Sequence, residues 1–272
     1  MIWNLVEADL LSEGFQTQIA DPFQPLDRSF YRVEVKGPEG VTPPLAPITL
    51  LNDDFDDGDP ATNSSGEGNG FALYANAGSA HPIVEANGVI SVTAINEGTI
   101  ENVGIVSIDK IGLSDASAQQ VEVTWTVDSV GPLSANGLEL SVLDSPSFRS
   151  GNTQHLWNLR FVGTTTGTEA MMVGNADGND SNNDDQLSGN DFPTTGSWTR
   201  AQLQDGFSLT LVASESGWSF TTTGLGGFTG SGAWNESSFG SIFTNGFAAI
   251  SAQNNNASIS VDSLSWEVSP VN

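Results

Sequence analysis

The sequence predicts an all-β protein: a two-sheet antiparallel jelly-roll sandwich with an N-terminal β-strand extension. Alternating apolar and polar positions recur in short runs separated by Gly, Asn, Asp and Ser, the pattern of antiparallel strands with one face buried. Helical periodicity is almost absent. The 272 residues include no cysteine, so the core must stand by packing, hydrogen bonds or bound ions, and that length suits one large β-domain.

Taken in order, "IWNLVEA", "FQTQI" and "SFYRVEV" within residues 1–37 can form three strands, too small a sheet to bury a core alone. This stretch is expected to be a partial β-module or a set of donor strands. Residues 38–47 follow as a spacer, stiff and extended because proline dominates "GPEGVTPPLAP". The jelly roll is expected over 48–272, with "ITLL" closing the spacer and "DDF" opening the first strand.

Within it the alternation predicts strands at 88–95, 104–111, 120–127, 137–143, 155–163, 207–213, 217–223, 246–253 and 258–268. So many strands at this spacing imply two packed sheets. Trp125, Trp157 and Trp266 fall inside alternating strands and are expected in the core.

Seven Lys and Arg against 33 Asp and Glu give a formal charge of −26, which argues against nucleic acid or an anionic membrane surface as partner. The charged fraction is only 15%, below the roughly 25% usual for soluble domains. Gly, Ser, Thr and Asn supply the polar surface instead, a balance resembling secreted β-proteins. "MIWNLVEADLL" has no basic region and no apolar run of signal-peptide length, and no window approaches a membrane span. The expectation of an extracellular or cell-surface location therefore rests on composition and resemblance, with the signal removed or exported modules preceding.

From "LLNDDFDDGD" to "ISVDSLSWEV" the chain resembles concanavalin A-like lectin/glucanase jelly rolls of the laminin-G-like type found in exported bacterial surface proteins. The D-x-F-D-x-G opening, "VEVTWTVDSV", "LWNLRF", "DGFSLTLVASESGWSF" and "VDSLSWEV" carry the resemblance. "SFYRVEV" also looks like the last strand of a small β-module common in such proteins. The resemblance implies that the first and last jelly-roll strands lie side by side.

That adjacency would let Asp262 join Asp54, Asp57 and Asp59 in a Ca²⁺ site, since calcium takes six to eight oxygen ligands and relieves repulsion among crowded carboxylates. A solvated acidic turn is the alternative. A second acidic segment, 175–191, resembles an EF-hand loop but has Asn182 and Ser188 where Gly and Glu are needed, and reads as a polar loop.

Catalysis has little support. Glu7, Asp9 and Glu13 resemble the acidic strand of retaining jelly-roll glucanases, with a spacing one residue too long and outside the jelly roll. No core strand offers two carboxyls to face each other across a cleft. His81 and His155 lack zinc-site spacing, and no G-x-S-x-G elbow exists.

Two functions follow. The first is a non-catalytic extracellular structural protein that self-assembles with other copies into a filament or surface array. Its N-terminal strands would dock on a neighbour through Trp3, Phe15, Phe30, Tyr31 and Val33. The alternative is a lectin-like, calcium-dependent module binding polysaccharide on Trp198, Trp218 and Trp234, which lie near turns where indole rings can present flat faces.

Overall fold

The protein is described here by a computed structural model covering residues 47–63, 66–75, 83–94, 102–110, 119–131, 138–143, 146, 155–163, 169–173, 194–195, 198–232, 246–253 and 257–271. By internal contacts the chain divides into Met1–Pro43 and Pro44–Asn272, and all described residues belong to the second unit. The strands expected in residues 1–37 lie outside them.

Two antiparallel sheets form a sandwich. The larger holds β1 (Ile48–Asp53), β3 (Ile83–Glu85), β4 (Ile90–Thr93), β6 (Gln119–Val130), β10 (Thr194–Thr195), β11 (Phe207–Ser214), β12 (Gly217–Thr223), β13 (Thr229–Gly232) and β15 (Ser258–Pro270). Its order is β10-β13-β12-β11-β6-β15-β4-β3, with β1 also paired to β15. The smaller holds β2 (Phe71–Ala75), β5 (Asn102–Ser107), β7 (Leu138–Leu143), β8 (His155–Gly163), β9 (Glu169–Val173) and β14 (Phe247–Gln253), in the order β2-β5-β14-β7-β8-β9. All nine strands expected from alternation form.

The register explains the layers. Along β6, Val121, Val123, Trp125 and Val127 are buried while Glu122 and Asp128 are exposed, the period-2 segregation of a half-buried strand. Facing them across the sandwich, β8 contributes Trp157, Leu159 and Phe161, all fully buried. Trp157 stacks on Trp125 at 6.0 Å between ring centroids and meets Phe220 edge-on at 6.0 Å, joining the two sheets. On the outer face of the larger sheet, Thr124 pairs with Thr210 and Ser91 with Ser260, each hydroxyl pair 3.0 Å apart. Hydroxyl ladders of this kind let the face be polar with few charges.

The first and last strands do lie side by side: Asp53 pairs with Leu264 and Ile48 with Val268. The first strand starts earlier than "DDF", however. β1 is "ITLLND", so "ITLL" is part of the sheet rather than the end of the spacer.

A five-residue helix, α1 (Arg200–Gln204), interrupts the β pattern. Thr199 and Gln202 cap it reciprocally, the Thr199 side chain accepting from the Gln202 N–H and the Gln202 side chain accepting from the Thr199 N–H. No helix among the described residues is long and apolar enough to cross a membrane.

The outer face of the smaller sheet departs from the expected one-sided burial. Every residue of β7 is buried, as is each from Phe247 to Ala252 on β14. Leu138, Leu140 and Val142 belong to the main core, while Val106, Leu143, Phe247 and Ala249 form a second apolar cluster with Tyr74 packed against it.

Candidate functional site

The acidic stretch after β1 is built around an inward anchor. At Phe55 the backbone turns left-handed, φ 52°, a conformation uncommon for a bulky residue. The turn ends the strand and places the ring in the core, 5.6 Å from Phe71. Asp53 is only 3% exposed. Its Oδ1 accepts from the Phe55 N–H at 2.8 Å, and its Oδ2 has no partner.

Across the loop stands Glu85, the last residue of β3, at 6% exposure. Its Oε1 accepts from the Gly58 N–H at 2.7 Å and its Oε2 has no partner. The Asp57 carboxyl lies within hydrogen-bonding reach of Glu85. Burial pushes the Asp53 carboxyl from the usual 3.8 up to about 6, helped by the charges of Asp57, Asp54 and Asp56 and opposed by the Phe55 N–H. Burial likewise pushes Glu85 from 4.5 to about 7, helped by its contact with Asp57 and the charges of Asp57 and Asp53, and opposed by the Gly58 N–H.

The four aspartates expected to share calcium are not assembled. Among the described residues no three His, Cys, Asp or Glu side chains form a ready group for a metal ion. Asp54, Asp59 and Asp262 are exposed. The Asp59 Oδ1 is engaged in its own turn by the Ala61 N–H at 3.1 Å, while Asp57 accepts from the Asp59 N–H at 2.9 Å and from the Thr62 hydroxyl at 3.0 Å. Short-range hydrogen bonds of this kind shape the turn. Glu85, the partner that the structure supplies, lies on a strand that alternation alone did not single out.

The tryptophan expectations divide. Trp218 is a core residue, 3% exposed and stacked parallel on Phe220 at 6.4 Å, so it presents no open ring face. Alternation explains this: Trp218 and Phe220 are two apart on β12 and face inward together. Trp198 is half-buried, edge-on to Phe161 at 5.7 Å and packed against the main core. Trp125, Trp157 and Trp266 are fully buried as expected. Trp234, Trp3, Phe15, Phe30, Tyr31 and Val33 lie outside the described residues, as do Glu7, Asp9, Glu13, His81 and the 175–191 segment. His155 opens β8.

A polar array that sequence reasoning missed occupies the outer face of the smaller sheet. Cross-strand register places Tyr74, Gly104, Ser251 and Glu139 in one row, and Val106, Ala249, Ser141 and Asn158 in the next. Ser141, Ser251 and Glu139 are fully buried and Asn158 is 5% exposed. Ser141 Oγ, Ser251 Oγ and Asn158 Oδ1 have no hydrogen-bond partner. Gly104 allows close packing between Tyr74 and Ser251; a Cβ there would stand 2.4 Å from the Ile250 carbonyl oxygen and 2.9 Å from the Ser251 Cβ. The outward residues of "LELSVL" and of "ISAQ" carried the signal, hydroxyls and a carboxyl where a plain second core needs apolar groups.

On the larger sheet, Thr49, Asn52, Glu67, Ser265 and Glu267 line an open groove of about 560 Å³. The Thr49 hydroxyl donates to Glu267 at 3.3 Å. Asn63 braces this end of the sheet, its side-chain amide donating to the Asn52 carbonyl at 3.0 Å and the Glu67 carbonyl at 2.9 Å.

No protein-family model matches the chain, and no curated protein does. Solved structures do. Arcelin-5, a lectin-like defense protein from Phaseolus vulgaris, is 10% identical with a TM-score of 0.49, covering 83% of this chain and 99% of that one. Peanut lectin with a 9mer peptide is 12% identical with a TM-score of 0.48, covering 84% and 99%. Lectin UEA-II complexed with galactose is 9% identical with a TM-score of 0.48, covering 85% and 100%. The two-sheet architecture rests on the strand pairing itself.

Proposed function

We propose that the chain is a non-catalytic, extracellular carbohydrate-binding module whose ligand site is the polar array on the outer face of the smaller sheet. The observation that carries this is the set of buried, unpartnered hydrogen-bonding atoms on Ser141, Ser251 and Asn158. A buried hydroxyl or amide left without a partner costs roughly 1–3 kcal/mol. Several in one array therefore favour a partner that the chain does not supply, such as ordered water or the hydroxyls of a sugar. Tyr74, half-buried at the end of the row, adds an aromatic ring beside Gly104.

The chemistry suits a neutral glycan better than a charged ligand, since hydroxyls and an amide both donate and accept. It does not suit hydrolysis: among the described side chains of that face Glu139 is the one carboxyl, and glycoside cleavage needs two. The full chain should be retarded on at least one immobilised neutral polysaccharide, and Asn158→Ala and Tyr74→Ala should each lose that retardation while melting as the parent does. Absence of retention for the parent at millimolar oligosaccharide would overturn the proposal.

Self-assembly is a second reading, favoured by the sheet edges. Leu73 on β2 is 47% exposed and Val84 on β3 is 49% exposed, each strand the last of its sheet among the described residues. An open edge with apolar side chains is a template for strand addition, and strands in residues 1–37 of another copy are the proposed occupant. Deleting residues 1–44 should leave a folded monomer by light scattering; assemblies that persist would exclude this route.

A further inference from the structure

We infer that Asn87, at the tip of the β3–β4 hairpin, is a modification site, where attack by the Gly88 backbone nitrogen converts the side-chain amide to aspartate and isoaspartate. The inference is independent of the carbohydrate proposal, and the reaction needs no reactant but water.

The chemistry lies in the neighbour. Glycine has no Cβ to screen its backbone nitrogen, so Asn-Gly is the dipeptide in which that nitrogen most readily reaches the asparagine amide, a thermolabile group. A bond forms from Gly88 N to Asn87 Cγ, the Cγ–Nδ2 bond breaks, and Nδ2 leaves as ammonia with the proton of the Gly88 N–H. Water then opens the cyclic imide. Opening at Cγ gives aspartate; opening at the Asn87 backbone carbonyl carbon gives isoaspartate, whose main chain runs through the former side chain.

The structure sorts the asparagines that share this neighbour. Asn87 is exposed, and among the described residues neither its side chain nor the Gly88 N–H is held by a hydrogen bond. The Ala86 N–H donates to the Val89 carbonyl at 3.0 Å and the Val89 N–H to the Ala86 carbonyl at 3.3 Å. Asn87 and Gly88, with φ of 58° and 73°, span the gap as the two-residue turn that Asn-Gly favours. A Cβ on Gly88 would meet the Asp54 carbonyl oxygen only at 3.9 Å, so that side of the glycine is open.

Asn69-Gly70 is the same dipeptide held differently. The Asn69 backbone N–H and side-chain amide both donate to the Asp109 carboxylate. A Cβ on buried Gly70 would stand 2.6 Å from the Ala61 carbonyl oxygen. The Asn69 amide must leave a charged acceptor before it can react. Asn136 and Asn245, the remaining asparagines followed by glycine, lie outside the described residues.

Isoaspartate adds a main-chain carbon to a turn of two residues, which then cannot keep Ala86 opposite Val89. β3 is only three residues long and ends at Glu85, so its pairing with β4 is the part that gives way.

The test is peptide mapping by mass spectrometry of the full chain, incubated in mildly alkaline buffer with and without urea. In the folded chain Asn87 should convert at least about tenfold faster than Asn69, the scale set by a hydrogen bond to a charged group. In urea the two rates should converge. Asp109→Asn keeps side-chain shape without the charge and should accelerate Asn69 alone. The isoaspartate form, separated by chromatography, should melt below Asn87→Asp, whose Asp-Gly pair still suits the turn. The inference is overturned if Asn87 stays intact in the folded chain while converting in urea, or if Asn69 keeps pace with it. It is also overturned if Asp109→Asn leaves Asn69 as slow as before, or if the isoaspartate form melts with Asn87→Asp.

Discussion

Replacing Trp157 with alanine should lower the unfolding free energy by about 4 kcal/mol, the middle of the range for aromatic truncation in a packed core. The side chain is fully buried at the centre of the sandwich, stacked on Trp125 at 6.0 Å and edge-on to Trp218 at 6.3 Å and Phe220 at 6.0 Å. Alanine would remove contacts to both sheets at once, and the β backbones around it cannot collapse to fill the space. Trp157→Phe is the informative companion. The Trp157 Nε1 is buried without a partner, so phenylalanine loses volume but also removes a desolvated donor worth roughly 1–3 kcal/mol. The two effects oppose each other, and a loss of only about 1 kcal/mol is expected. Urea titration with fitted midpoints and slopes measures both; equal losses for Ala and Phe would show that the ring interactions do not dominate at this position.

Much of the sandwich was legible because its central strands obey the period-2 rule. β11 alternates throughout between buried and open positions, and β6 and β15 do so on either side of one break each, at Asp128–Ser129 and Asp262–Ser263, where the β6–β15 register shifts. The strands that escaped are those whose identity depends on neighbours. β13 is "TGSG", with no apolar residue to announce it; it is a strand because the Phe220 and Trp218 rings lie across its glycines, where an added Cβ would stand 2.5 Å from one ring and 2.7 Å from the other. Sequence periodicity cannot reveal a strand selected for having no side chain.

Other features were present in the sequence but went unread. "EANGVI" carries the Asn-Gly dipeptide of a tight hairpin, and Asn87 and Gly88 take φ of 58° and 73° between β3 and β4. Recognising that turn would have placed Glu85 on a strand end. Thr199 and Gln202 spell a capping box that marks α1. Proximity to a turn misjudged Trp218, where alternation with Phe220 gave the correct inward direction. The polar array was harder to see, since Ser141 and Ser251 are ordinary outward residues of their strands and only their burial makes them unusual.

Stability should fall as pH rises from about 4 to about 8, opposite to the usual behaviour of ion-paired carboxylates. Asp53 moves from 3.8 to about 6 and Glu85 from 4.5 to about 7 on folding. Between the unfolded and folded values the native state binds more protons than the unfolded chain, so the slope of stability against pH is negative. The stabilisation is complete below about pH 4 and is lost as pH passes through 6 and 7, when both carboxyls must ionise beside Asp57. The combined change is on the order of 2 kcal/mol once solvent screening at the loop is allowed for. Urea midpoints measured at half-unit intervals should trace this fall, and Glu85→Gln should flatten its upper part because the amide has no proton to lose. A parent profile that rises across this interval would mean that Asp53 and Glu85 are not buried as charges in the folded protein.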